Sequence, residues 1–565
     1  MKILSVAEMV RIEQAADAAG HPYATMMEQA GRGVAASLLR ALHSWDSSGS
    51  VLVLVGPGNN GGDGLVAARY VRQWQPQRQI LVYTWRHSPD GDANYEAARQ
   101  LKITLQRAED DPDFAILQDA VLEADVIIDA LLGTGVARPI TGQLAELLAA
   151  VQESLAARAQ ALAEAAADFD PPPPTNAHSA AQAVRPVADY DFLLLPPWPA
   201  PPEPYIVAVD CPSGLNCDTG LLDPAALRAD LTVTFAFPKT GHFIADGPAA
   251  CGRLEIADIG VDDTFANTVP LELATPARAQ SWLPSRPSDA NKGTFGKALL
   301  AAGSINYTGA AHLASLAAYR VGAGLVTCGI PASLHTALAA GAVEPTWLLL
   351  PEAQGGLHPD AAAPLAAQAA GYKALLVGPG LTQQPAAVQF IHRLIGADGD
   401  SLRGLPWVLD ADALNALAQQ ADWPRRLPSQ VILTPHPGEM ARLCDCDVRT
   451  VQADRIHLAR TQAAAWQAVV MLKGAYTVIA APDGRTVLLP FANPALATAG
   501  SGDVLAGAIV GLLAQGLPPF EATCCAGYLH GLAGELARRD LGEAGVVAGD
   551  LLPRLPLALR QLRAA

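Results

Sequence analysis

At 565 residues the chain is longer than one hydrophobic core usually serves, so two or more domains of roughly 250 residues are expected. Half of the residues are hydrophobic and 16% are charged, which is enough apolar surface to offset chain entropy and excludes a disordered chain. The 38 Lys and Arg face 55 Asp and Glu, a net charge of −17 with no basic cluster. Nucleic acid is therefore not an expected partner, although backbone N–H groups could still hold a single phosphate-bearing cofactor.

The N-terminal stretch MKILSVAEMVRIEQAADAAG is too short in apolar residues and too interrupted by charge for a signal peptide. No uninterrupted run of about 18 apolar residues exists to span a membrane. Cys211, Cys217, Cys251, Cys328, Cys444, Cys446, Cys524 and Cys525 lack paired CxxC spacing, which points to reduced, mostly buried thiols in a cytoplasmic enzyme.

Along the chain, short apolar runs end in Gly, Pro or Asp and lead into helix-like segments, the pattern of buried parallel strands with crossover helices. The first, VLVLV (51–55), runs into GPGNNGGDG (56–64) and the helical LVAARYVRQW. Glycines in such a turn let N–H groups approach a phosphate, and Gly56, Gly58 and Gly61 match GxGxxG. An ordinary dinucleotide-dependent dehydrogenase is disfavoured, because ILVYT (80–84) is followed by Trp-Arg where the ribose-binding acid would stand. The polar Asn59, Asn60 and Asp63 also exceed what a bare turn requires.

DVIID (125–129) opens DALLGTG, and YIVAVD (205–210) opens DCPSG. Asp129 and Asp210 thus project from the carboxyl edge of one sheet, where open α/β sheets bind ligands; each could instead cap a helix. Between them, residues 151–204 read as an insertion, an Ala-rich helical stretch followed by proline-dense sequence that blocks regular structure. Residues 260–293 lack long periodic segments, which places the domain junction near 272 and the domains at 1–271 and 272–565.

The second half repeats the α/β logic in LVTCGI (325–330), ALLVG (374–378), WVLD (407–410), VILT (431–434) and VVML (469–472). Residues 476–490 read as an antiparallel hairpin around Pro482-Asp483-Gly484, at the edge of the second sheet. TAGSGDVLAG (498–507) sets small residues ahead of a helix starting near Gly502, whose N–H groups and dipole suit a transferring phosphoryl group. Asp503 at that start is a candidate base for a hydroxyl, or a charge cap. Neither GxxxxGK[ST] nor a protein-kinase HRD or DFG set is present, so those two phosphoryl-transfer classes are disfavoured.

GPGNNGGDG, DALLGTG, DCPSG and TFAFPKTGH (234–242) together resemble, in the same order, the NAD(P)HX epimerase family, whose substrate is the hydrated form of NADH or NADPH. The resemblance implies a Rossmann-like three-layer α/β/α domain. It implies that Asn59, Asn60, Gly61, Gly62 and Asp63, with Gly133, Thr134, Gly135, Val136, Ala137, Arg138 and Pro139, contact the hydrated dinucleotide. Asn60, Asp129 and Ser213 would give oxygen ligands to a potassium ion, as a hard cation accepts, and Asp210 would be the catalytic group that takes and returns a proton. Cys211 departs from the aliphatic residue usual in the family.

The GSGD element resembles the anion hole and base of the ribokinase-like superfamily. NKGTFGKALLAAGS (291–304), YRVGAGLVT (319–327), VGPGL (377–381), DADALN (410–415), TPHPGEMARL (434–443) and KGAYTVI (473–479) narrow that resemblance to the ADP-dependent NAD(P)HX dehydratases. It implies a ribokinase-like α/β domain in which Lys473, Gly474, Ala475, Tyr476, Thr477 and Gly502 bind the adenine nucleotide. Ala310, Gly380, His436 and Asp503 would bind the hydrated cofactor, with Mg²⁺ neutralising nucleotide charge. His436, followed by Pro-Gly, could equally organise a turn, and Asp410 and Asp412 are further candidates.

The implied function is repair of NADHX and NADPHX, with epimerisation of R and S forms followed by ADP-dependent dehydration of S to NAD(P)H, AMP and phosphate, in a homo-oligomer. One alternative is a vitamin or sugar kinase fused to a dinucleotide-binding regulatory module, against which HPGEM and KGAYT argue. Another is an N-terminal scaffold without activity, against which Asn60, Asp129, Asp210 and Ser213 argue.

Overall fold

The computed structural model describes residues 1–42, 49–135, 138–167 and 204–564. The chain forms two compact units, Lys2–Val269 and Pro270–Ala565, the second also taking in Met1.

The first unit is built on a seven-stranded, wholly parallel sheet. Its spatial order is Thr104–Arg107, Ile80–Thr84, Ser50–Val55, Ala124–Ala130, Tyr205–Val209, Leu231–Phe235 and Arg253–Ala257. Val51, Val53 and Val55 enter the core under helices Tyr23–Ala41 and Asn59–Trp74, whereas Leu52 and Leu54 enter the core under Ala115–Glu123 and Gln143–Ala167. Both faces are covered, so the strand is apolar at every position. The chain leaves Ser50–Val55 toward one edge and returns at Ala124–Ala130 on its other side. The carboxyl ends of these neighbours form a switch point, where open α/β sheets place their ligands.

The expected strands are present, and three more join them. Leu231–Phe235, Arg253–Ala257 and Thr104–Arg107 interleave polar residues, so no apolar run marks them. The Ala-rich stretch is helical as expected: its helix runs from Gln143 to Ala167, and Val151 is buried in the core beside Leu147 and Leu148. The proline-dense part lies outside the described residues.

The second unit carries a ten-stranded sheet in the order Thr346–Leu350, Leu325–Pro331, Lys297–Ala301, Ala374–Val377, Trp407–Leu409, Val431–Leu433, Val469–Leu472, Val478–Ala480, Thr486–Leu488 and Leu271–Leu273. The 478–488 hairpin is antiparallel as expected, but it is not the edge. Leu271–Leu273 pairs parallel with Thr486–Leu488 beyond it, so Pro270 and Leu271 belong with the second unit.

Helix Ser501–Ala514 is buried throughout Val504–Ala514, as an apolar helix at the centre of a core must be. A Cβ on Gly507 or Gly511 would meet the carbonyl oxygens of Ala314 and Ala318 at 2.2 and 2.7 Å. These glycines let the helix press against Thr308–Arg320, which fixes where its N-terminus emerges. Among the described residues no helix is long and apolar enough to cross a membrane. All eight cysteines are unpaired, and six are buried.

Candidate functional sites

At the first switch point the glycines and the polar residues of GPGNNGGDG play different parts. A Cβ on Gly61 would fall 2.0 Å from the Gly56 carbonyl oxygen, and one on Gly56 would fall 1.8 Å from that of Leu131. Backbone packing alone thus explains these glycines. Gly61→Ala is expected to destabilise the first unit by about 1–3 kcal/mol, as overpacking does, although Ala outranks Gly in a helix; a lower melting temperature checks this.

Packing does not account for Asn60 and Asp129. Asn60 is buried and donates through Nδ2 to the Leu132 carbonyl at 2.9 Å. Asp129 accepts from Ser213 Oγ at 2.5 Å, Ser213 N at 2.8 Å and Leu131 N at 3.2 Å, and Leu132 N donates to Ser213 Oγ at 2.9 Å. Burial pushes the Asp129 carboxyl up, only partly offset by these bonds. Asp129, Ser213 and the Leu132 carbonyl thus come together with one carboxylate, Asn60 joins them through its amide nitrogen on the Leu132 carbonyl, and the helix-cap alternative for Asp129 is not realised.

Asp210 follows the Tyr205–Val209 strand at φ +63°, a left-handed conformation that Asp tolerates better than most residues. Its Oδ1 accepts from Lys239 Nζ at 2.6 Å and Thr234 Oγ1 at 2.8 Å, and Lys239 Nζ also donates to Thr234 Oγ1 at 2.9 Å. Burial raises the Asp210 carboxyl, but the Lys239 ammonium outweighs it and holds the carboxyl below its ordinary value. Lys239, 1% exposed, is lowered by burial but held above its ordinary value by Asp210. The site thus contains an ion pair rather than a carboxylate tuned upward toward neutrality.

Asp63 and Glu13 surround the pair. Burial pushes Asp63 well above the carboxylate range, with Asp210 and Glu13 adding to it. Glu13, on helix Val6–Ala18, is raised by burial and relieved by Lys239. The sequence pointed to neither Lys239 nor Glu13, though a lone lysine inside TFAFPKTGH was a visible signal. Gly133 packs on Asn60, whereas Asn59, Gly135, Arg138 and Pro139 are exposed. Gly62 abuts Met27, and Thr134 is half-buried. Val136 and Ala137 lie outside the described residues.

In the second unit the switch point lies between Lys297–Ala301 and Ala374–Val377. Ala310 and Gly380 meet there, since a Cβ on Gly380, at φ +65°, would come within 2.8 Å of Ala310 Cβ. Farther along, Lys473 Nζ donates to the buried Asp410 at 2.8 Å and stands 3.9 Å from Glu439 Oε2. Asp410 also accepts from Thr434 Oγ1 at 2.7 Å. Asp412 instead ties down the loop after Gly380, accepting from Thr382 N at 2.7 Å and Gln383 Nε2 at 2.9 Å.

Asp503 sits in the first turn of helix Ser501–Ala514. Burial, aided by Asp410, raises its carboxyl to about 7 despite Lys473. Glu439 is likewise raised to about 7 by burial. His436 organises the turn, as one of its two readings has it: its Nδ1 accepts from Gly438 N at 3.0 Å and Glu439 N at 3.3 Å, while its own N–H donates to Glu439 Oε2 at 2.8 Å. This capping box leaves His436 Nε2 pointing toward Glu439 Oε1 at 3.4 Å.

Lys473, Gly474, Ala475, Thr477 and Gly502 line one cavity of ≈ 480 Å³, and His530 joins them. Tyr476 is not among the lining residues. His530 Nε2 meets the Ser501 carbonyl at 2.9 Å, and burial pushes the ring down to about 4, so it is neutral at physiological pH. Nothing in the sequence distinguished His530 from a core histidine, whereas Glu439 was legible as the partner of a capping box in HPGE.

Two doubly wound α/β units, one with a carboxylate–lysine crevice and one with a carboxylate at a helix N-terminus beside a lysine-lined cavity, define an enzyme with two nucleotide-type sites. A family model described as YjeF-related protein N-terminus matches residues 23–241, and one described as NAD(P)H-hydrate dehydratase matches residues 298–556. The chain is 37% identical to a bifunctional NAD(P)H-hydrate repair enzyme of Moorella thermoacetica, over 100% of this chain and 97% of that one, and belongs to this family. A relative of the same name from Salinibacter ruber is 36% identical over 95% of this chain and 92% of its own. Among solved structures, an ADP/ATP-dependent NAD(P)H-hydrate dehydratase from Bacillus subtilis, co-crystallized with ATP/Mg²⁺, is 35% identical, covers 52% of this chain and 98% of its own, and aligns with a TM-score of 0.45.

Proposed function

We propose that the first unit epimerises the R and S forms of NAD(P)HX and that the second dehydrates the S form at the expense of ADP. The observation that carries this reading is the pairing of a carboxylate–ammonium pair in the first unit with Asp503, Lys473 and the nucleotide-sized cavity in the second.

In the second unit, Asp503 accepts the proton of the substrate hydroxyl as that oxygen attacks the terminal phosphorus of ADP. AMP leaves, and elimination of the new phosphate ester restores the dihydronicotinamide. The N–H groups at the start of helix Ser501–Ala514 and Lys473 stabilise the charge that builds on the phosphoryl oxygens. Mg²⁺ supplies further neutralisation when bound, and Asp410 and Glu439, buried carboxylates beside Lys473, are the oxygens that fit it. The products are AMP and phosphate in equal amounts with restored NAD(P)H. A stable phosphorylated product would favour the vitamin or sugar kinase instead.

In the first unit, Asp210 as carboxylate and Lys239 as ammonium form a base and an acid within one hydrogen bond, able to take a proton from the substrate and return it. Burial raises the Asp63 carboxyl well above the carboxylate range, which favours its protonated form, and in that form it can donate a hydrogen bond to the dinucleotide. The one-carboxylate oxygen set of Asn60, Asp129, Ser213 and Leu132 fits a monovalent potassium ion, whose bound charge would orient the substrate. Potassium chloride is expected to raise the melting temperature more than lithium chloride at equal ionic strength, and Asn60→Ala to remove the difference. Equal effects of the two salts would rule out the ion. The reading also places the protein in the cytoplasm as a homo-oligomer, which light scattering checks.

A further inference from the structure

The Lys473–Thr477 segment has a backbone that needs outside support. Gly474 has φ +143° and Tyr476 φ +50°, the latter in a region that bulky residues avoid. Gly474 N donates to Thr477 Oγ1 at 3.2 Å, Thr477 Oγ1 donates to the Gly474 carbonyl at 2.8 Å, and Tyr476 N donates to the Phe491 carbonyl at 2.8 Å. Three more carbonyls are gathered by one side chain. Arg455, which opens helix Arg455–Trp466, donates from Nη1 to Ala475 O at 2.5 Å and from Nη2 to Leu472 O at 3.0 Å and Lys473 O at 3.1 Å. A Cβ on Gly474 would stand 2.9 Å from Arg455 Nη2, so the guanidinium occupies the space this glycine vacates.

Among the described residues Arg455 has no carboxylate partner, and burial pulls it down to about 10, which still leaves it charged at neutral pH. A half-buried guanidinium gives up part of its hydration, and the three carbonyl oxygens replace it on that side. Arg455 does not line the cavity, so it acts through the loop rather than on the ligand.

We propose that Arg455 is a positioning residue for the phosphate donor. Its planar fork holds the Leu472, Lys473 and Ala475 carbonyls, fixes the shape of the loop and thereby sets where Lys473 stands. It tunes affinity for a nucleoside diphosphate without touching the reacting atoms. This rests on reading Lys473–Thr477 as the nucleotide loop.

The test uses the full-length chain, with ADP binding followed by calorimetry alongside dehydration and epimerisation rates. Arg455→Met is expected to raise the Kd and KM for ADP roughly tenfold or more, the scale of a lost charged hydrogen bond. The dehydration kcat at saturating ADP falls less than the ADP affinity, because Lys473 is displaced rather than removed, while the KM for the hydrate and the epimerisation rate stay near wild type. Arg455→Lys keeps the charge but loses the fork and recovers the affinity only in part. An unchanged ADP Kd in Arg455→Met, full recovery in Arg455→Lys, or an equal loss of ADP and hydrate affinity overturns the proposal. If Arg455→Met melts the second unit, Arg455→Gln, which keeps a donor group, carries the same comparison. Lys473→Met separates the two levels. Weaker ADP binding in Lys473→Met alone rejects only the role of Arg455, whereas no effect in either variant rejects the nucleotide loop itself.

Discussion

Asp503→Asn is expected to lower the rate of NAD(P)HX dehydration by about 10²–10⁴-fold, the range that a positioned general base contributes, while epimerisation continues at the wild-type rate. The asparagine keeps the shape of the helix start but cannot accept the proton of the attacking hydroxyl. Because burial raises the Asp503 carboxyl to about 7, the native group is already half neutral near neutral pH, so a neutral isostere costs little stability. The sign of the pH dependence follows from the same shift. A base must be ionised to act, so the dehydration rate is expected to rise as pH rises through about 7 and to level off above it. Dehydration within tenfold of wild type in Asp503→Asn, with an unchanged pH profile, would remove Asp503 from the mechanism.

The Asp210–Lys239 pair should respond differently, because Lys239 is buried, Asp210 is largely covered, and the two are joined by a 2.6 Å hydrogen bond. Removing one partner of such a pair leaves the other charge uncompensated, at a cost of about 3–5 kcal/mol. Lys239→Met is therefore expected both to abolish enzymatic epimerisation and to lower the melting temperature of the first unit. Combining it with Asp210→Asn removes the stranded charge and is expected to recover much of the stability but none of the activity. Asp210→Asn alone should leave S-NAD(P)HX convertible by the second unit while R-NAD(P)HX is consumed only as fast as it epimerises unaided. Wild-type R consumption in Asp210→Asn would contradict the assignment. Asp210 is depressed in the folded state, so its contribution is present above the ordinary carboxylate pKa and fades as pH falls toward the depressed value.

Much of this architecture is legible in the sequence for one physical reason. Central parallel strands are buried on both faces, so VLVLV and ALLV appear as unbroken apolar runs. The same reasoning passes over LTVTF and RLEIA, where polar residues alternate. It also misjudges the hairpin as an edge, because the three-residue strand Leu271–Leu273 is too short to show periodicity. The Ala-rich stretch after 151 is legible only as helix, since an Ala-rich helix looks alike whether it packs on a core or leaves it.

For the sites, motif order marks Asn60, Asp129, Asp210, Ser213 and Asp503, and the structure brings the first unit's residues to the carboxyl edge of its sheet and Asp503 to the first turn of helix Ser501–Ala514. What composition does not reveal is which ionisable groups meet in space. Lys239 stands in the TFAFPKTGH motif without a role until the strand Leu231–Phe235 and the turn after it carry it to Asp210. That meeting holds the Asp210 carboxyl below its ordinary value. Arg455 and His530 show the same gap, since each is defined by backbone carbonyls far along the chain.

The most direct test of two repair activities in one chain mixes R- and S-NAD(P)HX with ADP and Mg²⁺ and follows the return of dihydronicotinamide absorbance. Two functional sites predict near-complete recovery of both epimers at a rate above unaided epimerisation, with one AMP and one phosphate per NAD(P)H. Recovery that halts once the S form is spent and then creeps at the unaided rate, or a phosphorylated product that accumulates without absorbance, would contradict the account.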